Sequence, residues 1–134
     1  MKGRVLAGGR ADGAALVLDE PLSLWGGVDP GTGLIIDARH PQLGASVSGR
    51  VLVLPAARGS SSSSSVLAEL VRAELAPAAI LVGEPDLILS VGAAVAEELY
   101  GRRVPIVLVP TADLATLHDG QRIIVSEDGS VTAG

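Results

Sequence analysis

The chain has no cysteine and no phenylalanine, and it holds a single lysine, tryptophan and tyrosine (Lys2, Trp25 and Tyr100) in 134 residues. Without cysteine there is no disulfide, no thiol nucleophile and no thiolate ligand for zinc or an iron–sulfur cluster. Two histidines, His40 and His118, are too few and too far apart to mark a metal site by spacing. The scarcity of aromatics removes the stacking platforms that single-stranded nucleic acid needs, and a net charge of −5 opposes tracking of a phosphate backbone. No apolar run reaches the length of a membrane span. The start, Met1-Lys2-Gly3-Arg4, leads into strand pattern without a signal-peptide core, so the expected compartment is the cytoplasm.

What remains is an aliphatic chain. Apolar residues make up 48% and charged residues 19%, a composition that folds, and the length fits one domain over residues 1–134. The first half alternates strand patterns with glycine-rich turns: Arg4 to Ala7, Ala14 to Leu18, then Leu34 to Asp37 after the turn-forming Gly26-Gly27-Val28-Asp29-Pro30-Gly31-Thr32-Gly33. The second half reads as βαβα. Strands are expected at Val51 to Leu54, Ala79 to Val82, Val104 to Val109 and Gln121 to Val125, with Pro105 keeping the start of its strand outside the ladder. Helices are expected from about Ser65 to Leu75, from at least Val91 to Tyr100 with Gly101 as C-cap, and briefly at Thr111 to Leu117. This order predicts an α/β protein of two packed layers, a mostly antiparallel β portion against a sheet flanked by helices.

The segment Arg58-Gly59-Ser60-Ser61-Ser62-Ser63-Ser64-Ser65 stands between the Val51 strand and the following helix. Helix N-termini present unpaired N–H groups at the positive end of the dipole, so a hydroxyl-rich loop there offers an anion site or a hydroxyl catalyst. The alternative is a flexible linker or a capping serine at Ser64 or Ser65. A linker would leave about 58 residues before it and about 69 after it, each at the margin of independent stability. At the C-terminal end of a strand, the loop also occupies the place where open α/β sheets bind ligands.

Residues Gly26 to Asp37 and His40, taken with Arg50-Val51-Leu52-Val53-Leu54-Pro55, Arg58-Gly59-Ser60 and Gly92-Ala93, resemble the swivelling small subunit of the aconitase X family. The likeness runs from about Lys2 to Val125. It implies a swivelling β/β/α domain that works with a larger, cysteine-bearing partner holding an iron–sulfur cluster, while this chain binds no metal or cofactor itself. It also implies hydro-lyase chemistry on a small hydroxy acid, either cis-3-hydroxy-L-proline, as in bacteria, or mevalonate 5-phosphate, as in archaea. By the same resemblance Ser60 is the proton acceptor, with Arg58, Gly59, Ser61 and Ser62 around the substrate. The loop's serine run favours the hydroxyproline branch. In the wider aconitase pattern an arginine that grips substrate carboxylate stands where this chain has Ser62, so anchoring falls to backbone N–H groups, Arg58 or the partner.

Asp29, Asp37 and His40 are candidates for the cleft or the partner contact, against roles as turn and loop supports. His118 reads as an exposed turn residue, and Glu98 as a partner for Arg102 one helical turn on. A nucleotide site would want Gly-Lys-Ser/Thr in the serine loop, and a serine hydrolase Gly-x-Ser-x-Gly; neither pattern is there. A non-catalytic swivelling module or a phosphohistidine-type carrier, using His40 or His118, is the rival class.

Overall fold

Side chains alternate across a strand, and the central strands here are apolar on both faces, which requires a covering layer on each side. The computed structural model describes residues 1–56 and 61–134. Among the described residues the elements are β1 (Arg4–Ala7), β2 (Ala11–Val17), α1 (Leu24–Gly27), β3 (Val51–Leu54), α2 (Ser63–Arg72), β4 (Ala79–Val82), α3 (Leu87–Tyr100), β5 (Ile106–Leu108), α4 (Thr111–Leu114), β6 (Arg122–Val125) and β7 (Val131–Ala133). They build one mixed sheet in the order β1-β5-β4-β3-β2-β6-β7. The β2–β3, β3–β4 and β4–β5 pairs are parallel, whereas β1–β5, β2–β6 and β6–β7 are antiparallel. The sheet curls until its ends approach. Lys2 bridges to Ser130, and the Gly3 N–H donates to the Gly129 carbonyl at 2.9 Å.

Alternation along β3 and β4 sorts two cores. Leu52, Leu54, Ile80 and Val82 face α2 and α3, joined there by Leu67, Leu70, Leu89 and Ile106. Val51, Val53, Ala79 and Leu81 face the inside of the curl, against Leu114, Ile123, Val125 and Val131. These are the α/β class and the β/β/α layering that the sequence predicts.

Several boundaries move. Helix α2 starts at Ser63, two residues earlier than expected, so Ser63, Ser64 and Ser65 are helical rather than loop. It stops at Arg72: Glu74 adopts φ 62°, and the N–H groups of Glu74 and Leu75 donate to Val71 and Leu70 carbonyls in a Schellman ending. Glu74 therefore lies beyond the helix instead of in its apolar arc, and it pairs with Arg102 at 2.6 Å. That pairing displaces the expected Glu98–Arg102 contact, while Arg103 takes Glu97 and Glu127. Helix α3 begins at Leu87, where the Asp86 carboxylate accepts the Leu89 N–H at 2.9 Å. Leu34 to Asp37 is not a strand. It makes only single bridges, Val28 to Ile35 and Leu34 to Ser46, because the turns around it leave no straight partner.

Candidate functional site at the ends of the parallel strands

Strands β2 to β5 run in one direction, so the connections leaving β2, β3, β4 and β5 gather at one end of the sheet. α2 begins at this mouth and points its N-terminus into it. No acidic side chain stands in the first turn of α2, leaving the positive end of its dipole uncompensated by carboxylates. Arg58, Gly59 and Ser60 lie outside the described residues. Of the neighbouring serines, Ser61 is exposed and its carbonyl accepts the Ser64 hydroxyl at 2.8 Å. Ser62 is the N-cap residue of α2, and its carbonyl accepts the Val66 N–H at 3.1 Å.

Ser63 is the surprise of the run. Its residue is only 4% exposed. The Trp25 N–H donates to its Oγ at 3.2 Å, and the Ser23 hydroxyl lies 3.4 Å away. The serine thus ties the start of α2 to the α1 turn. On the other side Gly92 lets α3 cross α2 closely: a Cβ there would stand 2.9 Å from the Ser64 carbonyl oxygen. The first turn of α2 is fixed between these two contacts. Nothing in the pattern of serines distinguishes the buried hydroxyl from its exposed neighbours, so sequence reasoning missed it.

The other candidates hold the long segment that covers α2. Asp29 accepts the Gly31 N–H through its carboxylate and the Thr32 and Gly33 N–H groups through its carbonyl. The Asp37 carboxylate accepts the Arg39 N–H at 3.0 Å. His40 is 6% exposed; its Nδ1 accepts the Gln42 N–H, so Nε2 carries the proton and donates to the Glu20 carbonyl, both at 3.0 Å. With both ring nitrogens engaged, His40 offers no free imidazole edge to a phosphoryl group. The exposed His118 has its N–H bound by the Gln121 side chain in a turn.

Two hollows flank the mouth. One of about 210 Å³ lies between Val17, Leu18, Val53, Pro55, Thr111 and Leu114 and is almost wholly apolar. The other, about 450 Å³, lies at the ends of β4 and β5, with Lys2 and Arg4 on its rim. Neither gathers a catalytic constellation from the described residues. The chemistry assigned by sequence therefore rests on the connection between β3 and α2.

A curled β/β/α sheet whose helix N-terminus opens at the ends of the parallel strands is the architecture of a swivelling domain. The sequence model of the aconitase X swivel domain matches residues 1–133, and the chain belongs to that family. It is 52% identical over 103 residues to a cis-3-hydroxy-L-proline dehydratase of Pseudomonas aeruginosa, a match covering 77% of this chain and 18% of that protein. It is 40% identical over 128 residues to the phosphomevalonate dehydratase small subunit of Thermococcus onnurineus, covering 96% and 92% of the two chains. Among solved structures, Thermococcus kodakaraensis aconitase X in its holo-form superposes with a TM-score of 0.88 at 36% identity, covering 99% of this chain and 96% of that one. The chain thus spans under a fifth of the Pseudomonas relative and nearly all of the archaeal small subunit.

Proposed function

We propose that this chain is the small, cytoplasmic component of a two-component hydro-lyase that removes water from cis-3-hydroxy-L-proline, with Ser60 as the proton acceptor. The observation that carries this reading is the 52% identity to the Pseudomonas enzyme. In the reaction the C–H bond beside the carboxylate breaks and its electron pair forms the double bond, while the C–O bond at the β-carbon breaks and the departing hydroxide takes up a proton to become water. This chain's part is the proton. Ser60 accepts it, and N–H groups at the start of α2, with Arg58, Gly59, Ser61 and Ser62, hold the carboxylate and stabilise the alkoxide base in a site closed to water.

An iron–sulfur cluster does not fit this chain. It has no cysteine, and the described residues bring together no group of three His, Cys, Asp or Glu side chains able to hold a metal. The cluster is assigned to the cysteine-bearing large subunit, and no step taken by this chain passes through it.

Mevalonate 5-phosphate is the second reading, favoured by one observation: the alignments to the archaeal small subunits of Thermococcus onnurineus and Methanothermobacter thermautotrophicus cover 96% and 93% of this chain, against 77% for the Pseudomonas enzyme. The test is reconstitution with the large subunit and assay against both substrates. Ser60→Ala is expected to lower turnover by roughly 10²–10⁴-fold with an unchanged Tm. Near-normal turnover by that variant removes the catalytic assignment, and turnover by the purified small chain alone removes the two-component reading.

A further inference from the structure

The only tryptophan in the chain is spent on the surface. Trp25 is 58% exposed, although Leu24 and Gly27 beside it are buried. Its backbone (φ −68°, ψ 116°), followed by Gly26 (φ 78°, ψ −13°), has the dihedrals of a type II turn, with tryptophan at the first corner and glycine at the left-handed second one. A Cβ on Gly26 would meet nothing within 4 Å, so the glycine serves the turn and not a close approach. The corner N–H that such a turn leaves unused is bound by the buried Ser63 hydroxyl. An indole is thus held out at the mouth by a rigid turn latched to α2. On the far flank of α2, Leu87 opens α3 at 79% exposure.

A large, pre-ordered apolar side chain in water gains nothing for the isolated domain, and it has the character of an interface anchor. We propose that Trp25 is the anchor by which this domain docks onto the large catalytic body, burying its indole when the mouth closes. The occupant follows from two facts. The same domain is a small part of one continuous chain in the Pseudomonas relative and a separate subunit in the archaeal one, so its constant neighbour is a much larger body. Trp25 also stands beside the α2 N-terminus, where any body closing the reaction site must meet it. The inference rests on the two-component reading.

The test uses this chain labelled with 5-fluorotryptophan, which gives a single ¹⁹F resonance, titrated with the cysteine-bearing large subunit while sedimentation reports complex formation. On binding, the resonance is expected to move and to lose its H₂O/D₂O solvent shift. Trp25→Ala should weaken association at least tenfold, Trp25→Phe less, and Ile124→Ala, at an exposed side chain of β6 paired with the start of β2 and so away from the mouth, less than twofold, with Tm and far-UV circular dichroism confirming each fold. A complex that forms while the resonance keeps its solvent shift and Trp25→Ala binds normally overturns the docking assignment and leaves the two-component reading standing. Absence of any complex overturns both.

Discussion

The two cores on either side of the sheet are built to different plans. The helix side is filled by large side chains, among them Leu52, Leu54, Leu67, Leu70, Leu89 and Ile106, and is covered by α2, α3 and the long segment between β2 and β3. The inside of the curl uses many smaller ones, such as Ala15, Val51, Val53, Ala79 and Val107, and is sealed by backbone pairing between the N-terminus and the β6–β7 turn. The buried polar side chains among the described residues, His40 and Ser63, both belong to the helix side. A core closed by irregular chain needs specific hydrogen bonds to fix it, whereas a closed ladder fixes itself. The mouth elements hang on the clamped side.

The largest test of that contrast replaces one fully buried leucine on each side. Leu67→Ala and Leu81→Ala should each cost about 2–5 kcal/mol in denaturant unfolding. Only Leu67→Ala should also speed amide exchange at Ser61 to Ser65, because Leu67 lies in α2. Equal exchange in both variants would erase the distinction. Next in size is the clamp. Ser63→Ala strips the Trp25 N–H of its acceptor and should cost about 1–2 kcal/mol, while Ser64→Ala, whose partly exposed hydroxyl donates among the described residues to the Ser61 carbonyl, should cost a few tenths. Matching losses would mean that burial does not separate the two serines.

How much of this was legible beforehand differs by region. Strands β3 and β4 and the βαβ order could be read directly, since unbroken apolar runs ending at Pro55 and Gly83 have few other uses. The segment from Leu18 to Arg50 could not, because its folding depends on side chains meeting backbone at a distance, as His40 meets Glu20. β7 is three residues long and pairs only with β6, too short for a period to register. The assignment of Ser60 rests on resemblance alone and lies outside the described residues, and the Trp25 turn carried just one local sign, the glycine that follows it.

A smaller effect is expected at the helix crossing. Gly92→Ala sets a methyl against the Ser64 backbone, costing about 1–3 kcal/mol of overpacking, against about 1 kcal/mol gained in helix propensity. The net loss, about 1 kcal/mol, is read as a shifted urea midpoint with unchanged slope. The smallest effect lies on the curl. The Ser130 backbone N–H and hydroxyl, with the Lys2 ammonium 3.1 Å away, hold the Asp128 carboxyl down from 3.8 to about 2. A depressed carboxylate stabilises the fold above the unfolded value, near 4, and this contribution fades as pH falls toward 2. The small Tm gap between wild type and Asp128→Asn should accordingly be open at pH 6 and close in that acid window. A gap constant with pH would show that the carboxylate's charge plays no part.

The pairing of β1 with β5 has a consequence in time. Arg4 sits opposite Leu108, so within this domain β1 emerges from the ribosome long before the strand it pairs with. β2, by contrast, meets β3 after a single connection, and β3 meets β4 after α2. The parallel centre can therefore assemble while β1 waits as an unpaired edge. Closing a ladder across so many residues is the slow, entropy-limited kind of step in folding. Among β1 to β5, the strand made first is the one joined last.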